Sequence, residues 1–349
     1  MTNRKDDHVN LALQQHQHLS HSDFDDIRFV HHSFSPIKMD DIQLSTQWAN
    51  ATHSLPFFIN GMTGGSEYTR SFNAQLAEVA RETGLSMASG SVSVAMKDIS
   101  TSDSFTIIRK MNPNGFVLAN LGAHHTLETA KKAVDLLQAN ALQIHLNVPQ
   151  EVVMPEGDRD FTTWAQNIEQ IVAKLGVPVI VKEVGFGMSR QTIQQLIDLG
   201  VQTIDVGGRG GTNFITIENS RRHHLDFQLL NGWGQSTAES LLEAYQCPAT
   251  ILASGGIRHY LDIVKSLALG AKSVGISGTF LHYLHHHGVQ KTIELVQEWQ
   301  ASIAHVMLML GCQTVDDLTK TDIVLGNGLT SWATARHLSV HTLAQRSKN

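Results

Sequence analysis

Residues 141–151 read Ala-Leu-Gln-Ile-His-Leu-Asn-Val-Pro-Gln-Glu, and their types and spacing suit chemistry. As a strand the segment alternates. Leu142, Ile144, Leu146 and Val148 take one face, while Gln143, His145 and Asn147 take the other. Such a face offers an imidazole that holds or moves a proton and amides that hydrogen-bond without charge. Just beyond it, Gln150 adds another neutral amide and Glu151 a hard oxygen ligand for a divalent cation. Taken alone, the stretch also fits a solvent-facing edge strand followed by a polar loop, so the surrounding elements must decide.

Eight short apolar runs alternate with amphipathic stretches from residue 57 onward. They predict strands at Phe57–Asn60, Leu85–Ser89, Gly115–Ala119, Ala141–Asn147, Val179–Lys182, Thr203–Val206, Thr250–Ala253 and Ser273–Ile276. Helix periodicity between them is clearest at Glu128–Leu137 and Asp262–Leu269. Eight βα units point to an α/β fold, a (β/α)8 barrel, with a doubly wound open sheet as the competing topology. In a barrel the polar and glycine residues should gather just past the strand ends. Here they do, at Gly61-Met-Thr-Gly-Gly65, Gly90-Ser91, Asn120-Leu-Gly122, Asn147 to Glu151, Lys182-Glu-Val-Gly185, Gly207 to Thr212, Ser254 to Arg258 and Ser277-Gly278. The alternating strand then turns its polar face into a barrel mouth.

We expect residues 1–56 to form an N-terminal extension that closes over substrate, 57–280 the barrel, and 281–349 the closing and C-terminal helices. The span from Gly207 to Gly234 is long for a βα loop and reads as a lid.

Composition sets outer bounds. The chain has 349 residues, 42% of them apolar, and a formal charge of −6 without a basic stripe, which disfavours nucleic acid as a partner. Two cysteines, Cys247 and Cys312, make no disulfide framework, and the N-terminus lacks an apolar signal core; a cytoplasmic protein is expected. No apolar run approaches the roughly 20 residues a membrane span needs. Histidine is frequent, and His282 and His286 have the i, i+4 spacing of a metal pair, but no carboxylate or cysteine accompanies them.

After strand 7, Ser254-Gly-Gly-Ile-Arg258 places bare backbone N–H groups before a helix, a phosphate-binding arrangement that Ser277-Gly278 completes. Lys182 ends an apolar strand and, facing inward, would stabilise negative charge on a bound ring system; the competing reading lets it snorkel to solvent.

Taken in order, Gly61-Met-Thr-Gly-Gly65, His145 to Glu151, Val181-Lys-Glu-Val-Gly185, Gly208-Arg-Gly-Gly-Thr-Asn213, Trp233-Gly-Gln-Ser-Thr237 and Ser254 to Arg258 resemble the type 2 isopentenyl-diphosphate isomerases. Arg4-Lys-Asp-Asp-His8 is similar to that family's opening element. The resemblance runs from about residue 3 to residue 330. It implies an FMN-dependent barrel that interconverts isopentenyl and dimethylallyl diphosphate with reduced flavin and Mg2+, NADPH as reductant, and a tetramer or octamer. It implies FMN contacts from Met62, Thr63, Gly64, Ser91, Asn120, Lys182, Gly207, Thr212, Gly255, Gly256, Ser277 and Gly278. Substrate contacts would come from Arg4, Lys5, His8, His145, Asn147 and Gln150, with Mg2+ at Glu151.

Lys182 would hold the flavin as its anion. Gln150, neither acid nor base, would position groups or relay a proton, and Glu218 is the carboxylate expected behind it. Arg4 and Lys5 would close over the diphosphate, or form a solvated tail. The sequence departs from the family pattern at Gly207, where a serine that hydrogen-bonds the flavin phosphate is usual, and at Phe214, where tryptophan is frequent. The nearest rival is an FMN-dependent 2-hydroxy-acid oxidase or dehydrogenase on the same barrel. That reaction calls for a histidine base after strand 6, and Gly207 to Thr212 contains none.

Overall fold

The computed structural model describes residues 4–16, 22–222 and 224–348. Eight strands close into a parallel barrel: β1 (Phe57–Ile59), β2 (Met87–Ala88), β3 (Val117–Gly122), β4 (Ala141–Leu146), β5 (Val179–Glu183), β6 (Thr203–Asp205), β7 (Thr250–Ser254) and β8 (Ser273–Ile276). The seam between β8 and β1, with Val274 opposite Phe57 and Ile276 opposite Ile59, excludes the open doubly wound sheet. All eight expected strands are present. The third lies further along than its apolar run suggested, because pairing carries it on: Asn120 lies opposite Gln143 and Gly122 opposite His145. Helices pack outside the sheet; Leu127–Leu137, for example, does so on one apolar stripe, burying Ala130, Ala133 and Leu137.

Inside the barrel the side chains change character from bottom to mouth. Phe58, Ala88, Leu118, Ala141, Ile180 and Leu252 form the lower layer. Two residues further along each strand, on the same face, stand Asn60, Asn120, Gln143, Lys182 and Ser254, joined by Asp205 of β6. Gly275 belongs to this packing, since a Cβ there would run into Phe58 and Asn60.

The segment before β1 divides between the two ends of the barrel. A hairpin, Thr46–Trp48 and Ala51–His53, plugs the bottom. Its turn residues Ala49 and Asn50 both have positive φ, as a tight hairpin requires, and Trp48 packs on Phe58 with its ring stacked 3.9 Å from that of His53. At the other end, helix α1 (Arg4–His16) lies over the mouth. Gln15 ties it there: its Nε2 donates to Asn213 O and its Oε1 accepts from Asn213 N, at 3.2 and 2.8 Å. Ser66 Oγ also donates to Asp6 at 2.5 Å.

Three further helices matter to the site: α2 (Val148–Val153), directly after β4; α3 (Phe214–Ser220), inside the long loop; and α4 (Gly278–Leu310), which follows β8 and breaks its helical course at Gly288. The expected lid is therefore built structure. Ile215 of α3 and Val153 of α2 share a small apolar cluster with Phe186. His223 of that loop lies outside the described residues. On α4 the rings of His282 and His286 lie 4.2 Å apart, but among the described residues no group of three His, Cys, Asp or Glu is placed to hold a metal ion.

Candidate active site

The strand ends open into one cleft with two halves that share Lys182, Met62, Gly61, His8, Val184 and Phe214. The first half spans about 1100 Å³ including its open mouth. Its wall is largely backbone: Gly207, Gly208, Gly211 and Thr212 after β6, Gly255 and Gly256 after β7, Ser277 and Gly278 after β8. Gly255 and Gly256 have φ of +96° and +72°, consecutive left-handed residues that turn N–H groups into one concavity. Met62 and Thr63 line the opposite side. Thr63 Oγ1 is buried and has no hydrogen-bond partner in the protein, so a polar atom is available to a ligand there.

The second half, about 1470 Å³ with its mouth, is lined by side chains. Ser91 and Asn120 come from the β2 and β3 ends, His145 from β4, and Asn147, Gln150 and Glu151 from the turn into α2. The α2 residues are cross-linked. Asn147 Nδ2 donates to Gln150 Oε1 at 3.3 Å and to Glu151 Oε1 at 2.9 Å, while Asp158 N donates to Glu151 Oε2 at 2.9 Å. Gln150 Nε2 then donates to Glu218 Oε1 at 2.9 Å, and His8 Nε2 lies 3.1 Å from the same oxygen. Arg221 Nη1 pairs with Glu218 Oε2. Glu218 is fully buried, which by itself raises its pKa, but hydrogen bonds and charge from His8, Gln150 and Arg221 outweigh burial and bring it down to about 2. Glu218 is thus a carboxylate at neutral pH, an acceptor.

Lys182 sits in the wall common to both halves. In the β4–β5–β6 register His145 lies opposite Lys182 and Lys182 opposite Asp205, so the three side chains share the inward face. Its Nζ donates to Glu183 O at 2.7 Å. Burial lowers its pKa, opposed by the carboxylates of Asp205 and Glu183. Glu183 itself is pushed up to about 8 by burial, against backbone N–H donors of Phe186 and Val184 to its Oε2 at 2.6 and 2.5 Å.

Most residues expected at the site thus line the cleft. Gly64 does not: a Cβ there would meet the Phe105 ring, so the glycine serves packing. Arg4 and Lys5 belong to α1, but their side chains lie outside the described residues. At Gly207 the backbone is left-handed and a Cβ would strike Glu183 O, so a serine here would require that contact to open. Sequence reading passed over Lys97, Ser93 and His124 in the second half, and Asn60 and Asp205 beneath it. For the last two a signal existed: each is polar at an inward position, two residues past Phe58 and Thr203.

A parallel barrel with a backbone cradle after its seventh and eighth strands is the arrangement of enzymes that bind a phosphate-bearing ligand, and the class is that of the FMN-dependent barrel enzymes. The model of the FMN-dependent dehydrogenase family matches residues 109–325. Solved structures agree in fold at low identity: a flavocytochrome b2 variant with benzoylformate superposes with a TM-score of 0.67 at 16% identity over 93% of this chain and 84% of that one. A mandelate oxidase variant with benzaldehyde gives 0.64 at 15% over 93% and 95%. Curated relatives are far nearer. The isopentenyl-diphosphate delta-isomerase of Latilactobacillus sakei is 53% identical over 97% of both chains. Those of Streptomyces sp. strain CL190 and Staphylococcus aureus are 50% and 49% identical, covering 99% and 97% of this chain and 96% and 97% of theirs. The chain belongs to the isopentenyl-diphosphate delta-isomerase family, on an FMN-binding barrel.

Proposed function

We propose that this protein interconverts isopentenyl and dimethylallyl diphosphate with reduced FMN in the glycine-lined half of the cleft and Mg2+ on the substrate diphosphate. The observation that carries this reading is the meeting of His8, Gln150 and Glu218, from three distant segments, beside Lys182 in the shared wall. Reduced flavin, when bound, supplies an electron-rich ring able to offset positive charge on a substrate carbon, and an exchangeable proton.

The chain's own residues do the rest. The backbone N–H groups of Gly255 and Gly256 with Ser277 and Gly278 hold the flavin phosphate, and Thr63 Oγ1 gains its missing partner. Lys182, which lines both halves, balances negative charge on the ring when protonated. Gln150 cannot exchange a proton as acid or base; with both amide ends occupied, it fixes the gap between substrate and Glu218. Glu218, held ionised, accepts from the Gln150 amide and anchors the His8 ring, and any proton it takes from that side comes through His8. Glu151 carries Mg2+. One oriented carboxylate suits this ion, which keeps several waters and takes other ligands from phosphate oxygens. Arg4 and Lys5 close over the diphosphate. NADPH supplies electrons, and the protein acts in the cytoplasm as a tetramer or octamer. Among the described residues no helix is long and apolar enough to cross a membrane.

The deciding experiment is an anaerobic assay of the FMN-loaded protein with isopentenyl diphosphate, Mg2+ and NADPH or dithionite. Dimethylallyl diphosphate should form only after reduction and stop with a chelator. No product from fully reduced, Mg2+-supplied protein overturns the reading. The 2-hydroxy-acid oxidase alternative predicts instead that mandelate or lactate bleaches the oxidised flavin, and Gly207–Thr212 offers no histidine base for that.

A further inference from the structure

Beneath the cleft, three side-chain amides from three strands link a carboxylate to an imidazole. Asn60, Gln143 and Asn120 run from Asp205 to His145, and the first three of these five residues along the chain of contacts (Asp205, Asn60 and Gln143) are at most 1% exposed. Heavy-atom positions alone do not distinguish amide oxygen from nitrogen, nor one imidazole tautomer from the other. Here the contacts do. Gly61 N donates to Asn60 Oδ1 at 2.9 Å, and a backbone N–H can only donate, so that atom is the oxygen. Asn60 Nδ2 then donates to Asp205 Oδ2 at 3.0 Å, while the other oxygen of that carboxyl takes Ser254 Oγ at 2.7 Å and Gly207 N at 3.2 Å.

The order propagates from these two anchors. Gln143 must turn its Nε2 to Asn60 Oδ1, at 2.9 Å, which leaves its Oε1 for Asn120 Nδ2, at 3.1 Å. Asn120 therefore presents Oδ1 to His145 Nδ1, at 2.8 Å. Reversing any one amide would set donor against donor or acceptor against acceptor in a dry interior. We propose that Asn60 and Gln143 are positioning residues that, through Asn120, keep His145 protonated on Nδ1 and confine its proton exchange to Nε2. The neutral ring then bears its acceptor lone pair on Nε2, whatever His145 contacts in the substrate half. The assignment rests on the hydrogen-bond geometry; only its effect on turnover rests on the isomerase reading.

The test is nitrogen NMR of the full-length, FMN-loaded protein carrying 15N-labelled histidine, at mildly alkaline pH where an imidazole is neutral. The spectrum of His145→Gln identifies the His145 signals. The wild-type ring should show a protonated Nδ1 and an unprotonated Nε2; protonation on Nε2 overturns the proposal without recourse to any variant. Gln143→Leu should release the ring to a tautomer mixture and lower kcat at least tenfold, with FMN occupancy and KM for isopentenyl diphosphate changed less than threefold. Gln143→Glu should restore both, because a buried neutral carboxyl donates to Asn60 and accepts from Asn120. A Gln143→Leu protein whose His145 keeps Nδ1 fully protonated refutes the positioning role. A correct tautomer with no isomerase activity would refute the proposed function alone.

Discussion

The two halves of the cleft are built from different materials. The half proposed for the flavin is glycine and backbone, with Gly208, Gly211, Gly255, Gly256 and Gly278 offering N–H groups and empty space. The substrate half is side chains, with His145, Asn147, Gln150 and Glu151 held by bonds to one another and to Glu218. The fold itself is shared at 15–16% identity with a mandelate oxidase variant and a flavocytochrome b2 variant. Side-chain recognition does not drift so freely, and the proposed reaction draws its groups from the second half. Lys182 belongs to both, and its loss should break both at once. Lys182→Met should cut kcat by about 10²–10³-fold, the scale of a removed electrostatic stabiliser, as read by isomerase turnover under reduction. Flavin retention with full turnover would return Lys182 to a structural role.

Confined to the substrate half, Gln150→Ala separates the two materials. It leaves the cradle intact and unties Glu218 from α2. Turnover should fall about 10²-fold, the lower end of proton-transfer contributions, while the FMN dissociation constant stays within threefold. The mirror-image change is Gly255→Val. At φ +96° a β-branched residue is strained, and its Cβ would strike Gly208 O. A strain of about 1–3 kcal/mol weakens FMN binding about 5- to 150-fold. Fluorescence titration of the apoprotein reads this directly, and kcat at saturating FMN should recover.

The same difference in material governs what the sequence discloses. Strand rhythm and the glycines at strand ends were legible because each is local: an apolar run with a breaker after it gives a strand and its turn. The alternation of residues 142–147 likewise marked Gln143, His145 and Asn147 as one face. Which atom each of them meets was not legible. Gln143 hydrogen-bonds Asn60 and Asn120 inside the barrel rather than facing the mouth, and only strand register places those three side by side. His8 and Glu218 meet because Gln15 docks α1 on the β6 loop, a contact no periodicity encodes. The three-residue strands of the bottom plug, Thr46–Trp48 and Ala51–His53, are too short to carry a pattern. Gly64 looked like its cradle neighbours, but a Cβ there would also meet the ring of Phe105, a packing demand that no local pattern encodes.

The smallest expected effect lies under the seam between the halves, at Glu183. Its carboxyl is held up to about 8 by burial, well above its ordinary 4.5 in an unfolded chain. Between those values the folded protein binds a proton that the unfolded chain has released, so the contribution of Glu183 to stability is full below pH 4.5 and is lost as pH rises through 8. Glu183→Gln keeps an oxygen for the N–H groups of Val184 and Phe186 and removes the titration. Thermal unfolding midpoints of this variant should therefore fall less steeply than those of the wild type across that window. Lys182 provides the control on sign. If Glu183 were instead ionised throughout as the partner of Lys182, Glu183→Gln would leave the slope unchanged and lower stability uniformly, and Glu183 would be a charge partner of Lys182 rather than a neutral neighbour.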